Sequence, residues 1–160
     1  MQISKHFKLS EFIKSQVGTR NGIKNMPGSG EIKNLGNVAY EILEPVRAKF
    51  EKPVMINSGY RCLELNRKIG SSDSSQHTKG MAVDFEIIGT PNIQVAYWIQ
   101  NNCDFDQLIL EFYKPDEDNA GWIHASYCDG NNRKQVLTFD GKSYSDGLPN
   151  MEWQNGKVVE

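Results

Sequence analysis

The sequence predicts an α+β domain in which N-terminal helices pack on a mostly antiparallel sheet. Helical periodicity dominates the first fifty residues, whereas short apolar or alternating runs gather in the second half. Turn-forming segments join the last of these runs: an acidic connector over 113–121 and the pair Asp140-Gly141. With 160 residues, 38% of them hydrophobic, the chain has the size of one domain spanning 1–160 with a real core.

The elements follow in order. Ser10 reads as the N-cap of a short helix Glu11–Val17, with Gly18 as its stop. Asn25 to Gly30, rich in Pro and Gly, is a loop. A longer helix spans about Glu31 to Phe50, because Leu35, Val38, Ala39, Ile42, Val46 and Phe50 recur at helical period; Pro45 falls inside it as a candidate kink. Pro53–Asn57 predicts a strand, and Leu63–Ile69 a short helix closed by Gly70. Ala82–Ile88 alternates as a strand with one buried face. Thr90 then caps a helix that has Pro91 in its first turn and runs to about Asn101, with Ile93, Ala96, Tyr97 and Ile99 for packing. Strands at Phe105–Phe112 and Trp122–Tyr127 follow, then a hairpin built on Val136–Phe139 and Asp140-Gly141.

Composition narrows the function. The net charge is −2 and Lys and Arg do not cluster, so the phosphate-neutralising footprint of a nucleic-acid binder is missing. No segment is apolar enough to span a bilayer, and the first ten residues do not form a secretory signal, so a soluble protein made in a cytoplasm is expected. Cys62, Cys103 and Cys128 lack C-x-x-C spacing, so a metal would be bound through nitrogen and oxygen.

Three histidines occur, and two have informative surroundings. His77 stands in a loop running through Gly80 into the strand that holds Asp84, so an imidazole and a carboxylate can meet at one metal. On spacing alone this pair specifies little. His124, in Trp122-Ile-His-Ala-Ser-Tyr127, faces away from Ile123 and Ala125 by strand alternation; it reads either as a strand histidine bonded to a carbonyl or as a ligand. His6, far from these motifs, is most simply a surface residue.

Taken together, Ser58-Gly-Tyr-Arg61, Leu65-Asn66, Ser75-Gln-His77, Gly80, Ala82, Asp84, Phe105-Asp-Gln-Leu-Ile109, Glu111 and Trp122-Ile-His124 resemble the M15 family of zinc peptidases. That family includes D-alanyl-D-alanine carboxypeptidases, phage endolysins and, more distantly, the hedgehog signalling domain, and the likeness runs from the first helix to about Tyr127. It implies a hedgehog-like fold and a zinc ion held by His77, Asp84 and His124. Two imidazoles and one carboxylate leave a fourth tetrahedral position open, as a catalytic zinc site requires.

The resemblance further implies that Glu111, in the strand before W-x-H, is the general base. The connector from Glu111 to His124 is longer than the short turn expected of such lysins, so Glu117 and Asp118 compete for the role. Arg61 suits the carboxylate of a peptide terminus or a developing oxyanion, with a surface ion pair as the plain alternative. Ser75 and Gln76 are candidates to bond the substrate backbone or the ligands, and Trp122 reads as core or pocket wall. Asp116 to Asn119 offer oxygen ligands for calcium without the EF-hand pattern, so a solvated turn is the simpler reading. Cys128 reads as a packed thiol.

The expectation is therefore a monomeric zinc peptidase acting on D-amino-acid-containing stem peptides of peptidoglycan, as a carboxypeptidase or an endopeptidase. It would reach the wall after release from the cell, as phage lysins do, or within a phage particle. A non-catalytic zinc-binding wall-peptide or virion protein of the same fold is the alternative.

Overall fold

The computed structural model describes residues 1–150 and the backbone of two short strands at 152–154 and 157–159. The N-terminal region departs from the single helix expected over Glu11–Val17. Two helices form instead, α1 (Leu9–Ile13) and α2 (Gln16–Arg20). Lys14 turns to extended backbone and ends the first, and the Ser15 hydroxyl accepts the Gly18 amide at 3.1 Å to start the second. Ser15 thus takes the capping role expected of Ser10, and Gly18 lies within a helix rather than after one.

The long helix is continuous from α3 (Ser29–Val38) through α4 (Glu44–Phe50), but its middle, Ala39–Leu43, is a π turn. Pro45 is the physical reason. It has no N–H for the carbonyl four residues back, and its ring crowds that carbonyl. The chain widens ahead of it, and the Glu44 amide reaches Ala39 O. The inserted residue buries Leu43 in addition to Leu35, Val38, Ala39, Ile42 and Val46, while Phe50 is only partly covered. Each such Leu, Ile or Val contributes about 1.5–3 kcal/mol of burial free energy.

The main sheet has strands β1 (Met55–Ser58), β2 (Ala82–Glu86), β3 (Gln107–Glu111), β4 (Trp122–Ser126), β5 (Gln135–Phe139) and β6 (Tyr144–Asp146), in the order β1-β2-β4-β3-β5-β6. Every pairing is antiparallel except β3 with β5. The last two strands form the expected hairpin, where the Asp140 carboxylate accepts the Lys142 and Ser143 amides. Strands β7 (Glu152–Gln154) and β8 (Lys157–Val159) pair with each other.

Short helix α5 (Leu63–Lys68) ends at Gly70, whose φ of 79° suits glycine. Helix α6 (Asn92–Asn102) begins one residue later than expected, with Pro91 rather than Thr90 as its N-cap. Strand alternation then sorts the sheet. Val83, Phe85, Leu108, Ile123 and Ala125 join the helices in the core, and Asp84, Ile109, Glu111, Trp122 and His124 lie on the opposite face.

Candidate metal centre

His77 is carried by a 3-10 turn, Gln76–Lys79, between α5 and β2. Ser75 caps that turn, accepting the His77 amide at 3.4 Å, and Gly80 closes it with φ 69°. A Cβ on Gly80 would lie 2.5 Å from the Glu31 carbonyl oxygen, so only glycine lets the turn press against the start of α3. Asp84 and His124 are directly opposed on β2 and β4. The chain therefore delivers all three side chains to one spot from a turn and two paired strands.

The Asp84 carboxylate bridges the imidazoles, with Oδ2 at 3.3 Å from His77 Nε2 and Oδ1 at 2.9 Å from His124 Nδ1. The His77 and His124 ring centroids are 5.3 Å apart. His77 Nδ1 lies 2.7 Å from the Gly59 carbonyl oxygen, which accepts a hydrogen bond from the Nδ1–H and so leaves Nε2 of the neutral ring unprotonated toward Asp84. Burial lowers the His77 pKa despite the pull of Asp84, favouring the neutral ring a metal needs. Burial alone would raise Asp84, but His77 and His124 outweigh it and hold the carboxyl well below its usual range.

The donor set fits a zinc ion. One ligand atom from each residue lies within 4.8 Å of the others, the His77 ring is held toward its neutral form, and the Asp84 carboxylate is ionised. Among the described residues this is the one group of three such side chains that converges. The acidic connector does not form a second: Glu117 pairs with Lys114 at 3.2 Å, and both are exposed. Cys128 is outside the group; its sulfur accepts from the Gln76 amide at 3.2 Å.

Glu111 faces Trp122 across the β3–β4 pair, so it is the diagonal neighbour of His124 on the same face, with Cβ atoms about 7 Å apart or less. Burial, assisted by Asp84 and opposed by His124, raises its pKa. The two rivals lie on the connector. The Asp118 backbone carbonyl accepts the Asn92 amide at the start of α6, which packs on the other face of the sheet, and Glu117 is held in its surface ion pair. Gly121 makes the long connector compatible with this hairpin: a Cβ there would overlap the Glu111 carbonyl oxygen at 1.7 Å.

Arg61 is mostly buried beside the triad, one guanidinium nitrogen 4.0 Å from Asp84 Oδ2. It donates to Ser58 Oγ at 2.8 Å and to Asn66 Oδ1 at 3.0 Å. Asn66, fully buried, in turn donates to Ser72 O. Burial lowers the Arg61 pKa and Asp84 partly restores it. Arg61 and Ser58 also line a cleft of about 840 Å³ between α2, β1 and α5; its walls carry Lys14, Arg20 and Arg61 and no carboxylate.

The other expected residues lie around this centre. Ser75 and Gln76 build the His77 turn, and the Gln76 amide donates to Asp106 Oδ2 at 2.9 Å. Trp122 is half-buried on the triad's face, its ring 5.0 Å from that of Phe112. His6 is partly exposed but anchored, with Nδ1 2.6 Å from Glu44 Oε2. Sequence reasoning did not assign the supporting roles of Gly59, Asn66 and Asp106. Ser-Gly-Tyr-Arg and Leu-Asn stood out as motifs, but a carbonyl acceptor or a buried amide has no signature of its own. The Asp106 side chain, buried and pulled down to about 2 chiefly by its bonds to Arg133, joins the ligand turn to the start of β5.

A convergent His–Asp–His set with a raised-pKa carboxylate and an arginine beside it is the site of a metal-dependent hydrolase. The chain belongs to the peptidase M15 family: the family model described as Peptidase M15 matches residues 5–124, a span that holds the triad, Arg61 and Glu111. Members of this family are zinc peptidases. A search of curated proteins found no match. No helix among the described residues is long and apolar enough to cross a membrane.

Proposed function

We propose that this protein is an endopeptidase that hydrolyses bonds next to D-amino acids in the stem peptides of peptidoglycan, using zinc held by His77, Asp84 and His124. The observation that carries the proposal is Glu111, a carboxylate of raised pKa set diagonally to His124 on the face that bears the triad. A bound zinc ion would polarise the scissile carbonyl and make water easier to deprotonate.

Glu111 accepts the proton from the attacking water and passes it to the departing amine, work that suits a carboxyl nearer neutrality than usual. Arg61, fixed by Ser58 and Asn66, faces the negative charge of the substrate. Ser75 and Gln76 are positioning residues, acting through the His77 turn. The cationic cleft fits the carboxylates of a stem peptide, and its volume supports an endopeptidase, because a terminal alanine would fill little of it.

The test is digestion of purified peptidoglycan by the zinc-loaded protein, with the new termini identified by mass spectrometry. New termini inside the stem or cross-link are expected. Release of free D-alanine alone would assign a carboxypeptidase, and an unchanged digest would remove the peptidase reading.

A further inference from the structure

Beyond Glu111 the sheet continues with aromatic side chains that the metal centre does not use. Trp122, Glu111, Phe139 and Tyr144 are successive partners across β4, β3, β5 and β6, so all four lie on the triad's face. Phe112 joins them against strand alternation. Its φ of 52° turns the ring away from the core side, to 5.0 Å from both Trp122 and Phe139. Phe139 and Tyr144 then stack at 4.5 Å. The surface is open: Phe112 is 41% exposed and Tyr144 58%.

We infer that Trp122, Phe112, Phe139 and Tyr144 form a subsite that stacks on sugar rings of the glycan strand to which the stem peptide is attached. This rests on the peptidoglycan reading above. The electropositive C–H face of a pyranose meets the negative face of an aromatic ring, and the exposed rings of Phe112 and Tyr144, backed by Trp122 and Phe139, offer such faces. Glu111 lies within the row, and Asp146, two residues after Tyr144, is exposed on the same face opposite Leu137. Asp146 accepts hydrogen bonds from sugar hydroxyls, and the two carboxylates disfavour an anionic ligand here.

Charge therefore gives the substrate a direction. The cationic cleft lies at β1 and the aromatic row runs toward β6, with the triad between them. The acidic peptide extends toward β1, and the uncharged glycan toward β6. Phe139 and Tyr144 lie outside the segment matched by the family model, so the outer half of this subsite is supplied by the C-terminal hairpin.

The probe is the N-acetylglucosamine tetramer, which has no peptide, titrated into the full zinc-loaded protein by calorimetry. The wild type should bind it. Tyr144→Ala should weaken binding at least tenfold, and Tyr144→Phe should stay within about threefold because the ring does the work. Tyr40→Ala, an exposed tyrosine on the long helix, should match the wild type. No binding at millimolar tetramer, equal binding by Tyr144→Ala, or a Tyr144→Phe as weak as Tyr144→Ala overturns the inference. In parallel, kcat/KM should favour a disaccharide-linked peptide over the free peptide, and Tyr144→Ala should shrink that ratio. Failure to cleave either substrate counts against the peptidase reading, while the tetramer still decides the subsite.

Discussion

Replacing Glu111 by Gln keeps the shape of the side chain and removes the base. Asp84 is committed between the two imidazoles and Glu117 to Lys114, so neither is free to substitute. A positioned general base contributes about 10²–10⁴ in rate. A loss near a thousandfold in kcat, about 4 kcal/mol of barrier, is expected. Two further signs follow. Glu111 must be ionised to work, so the acid limb of kcat/KM should vanish in the variant, and its raised pKa in the metal-free protein sets the sign of a stability difference. A folded pKa above the unfolded one means that this group's contribution to stability is present at low pH and lost as pH rises. Near pH 7 the variant should thus melt slightly higher than the wild type. Chromatographic rates on a muropeptide, metal content after purification and melting curves measure all three. Activity within threefold of wild type, or zinc lost together with activity, would refute the assignment.

Gly59→Ala should cost more than about 2 kcal/mol in urea unfolding and weaken zinc binding about 10–100-fold. Its Cβ would sit 2.6 Å from the Phe12 carbonyl oxygen, and its own carbonyl orients His77. Zinc at a thousand times its Kd should stabilise the protein by about 4 kcal/mol, read as a rise in melting temperature, and Asp84→Asn should abolish most of the rise. Asp106→Ala should destabilise the chain at neutral pH by freeing Arg133 and the Gln76 amide. Because the Asp106 carboxyl is lowered from 3.8 to about 2, the difference from wild type should persist above pH 4 and close as pH falls toward 2.

The helix over residues 29–50 shows how far local pattern reaches. Its apolar period located the buried face, but the π turn that adds Leu43 to that face follows from reconciling Pro45 with the core, and periodicity has no term for that. At the N-terminus, Ser10 and Ser15 are equally good caps by type; the contact of Phe12 O with the Tyr60 amide accompanies the break between the two helices. The convergent triad was legible because histidine is scarce and the motifs around His77, Asp84 and His124 are distinctive in combination.

What the sequence determined by itself was the fold class, the alternation that puts His124 on the face away from Ile123 and Ala125, and the set of side chains able to bind zinc. Those depend on residue type and near-neighbour spacing, which the linear chain contains. Only the tertiary structure decided that Glu111 rather than Glu117 or Asp118 stands beside the triad, that Gly59 and Asn66 hold His77 and Arg61, and that Phe139 and Tyr144 extend the site. Those outcomes turn on strand register and on contacts between residues far apart in the chain. A shift of one residue in β3 would move Glu111 to the other face, and one in β5 would do the same to Phe139.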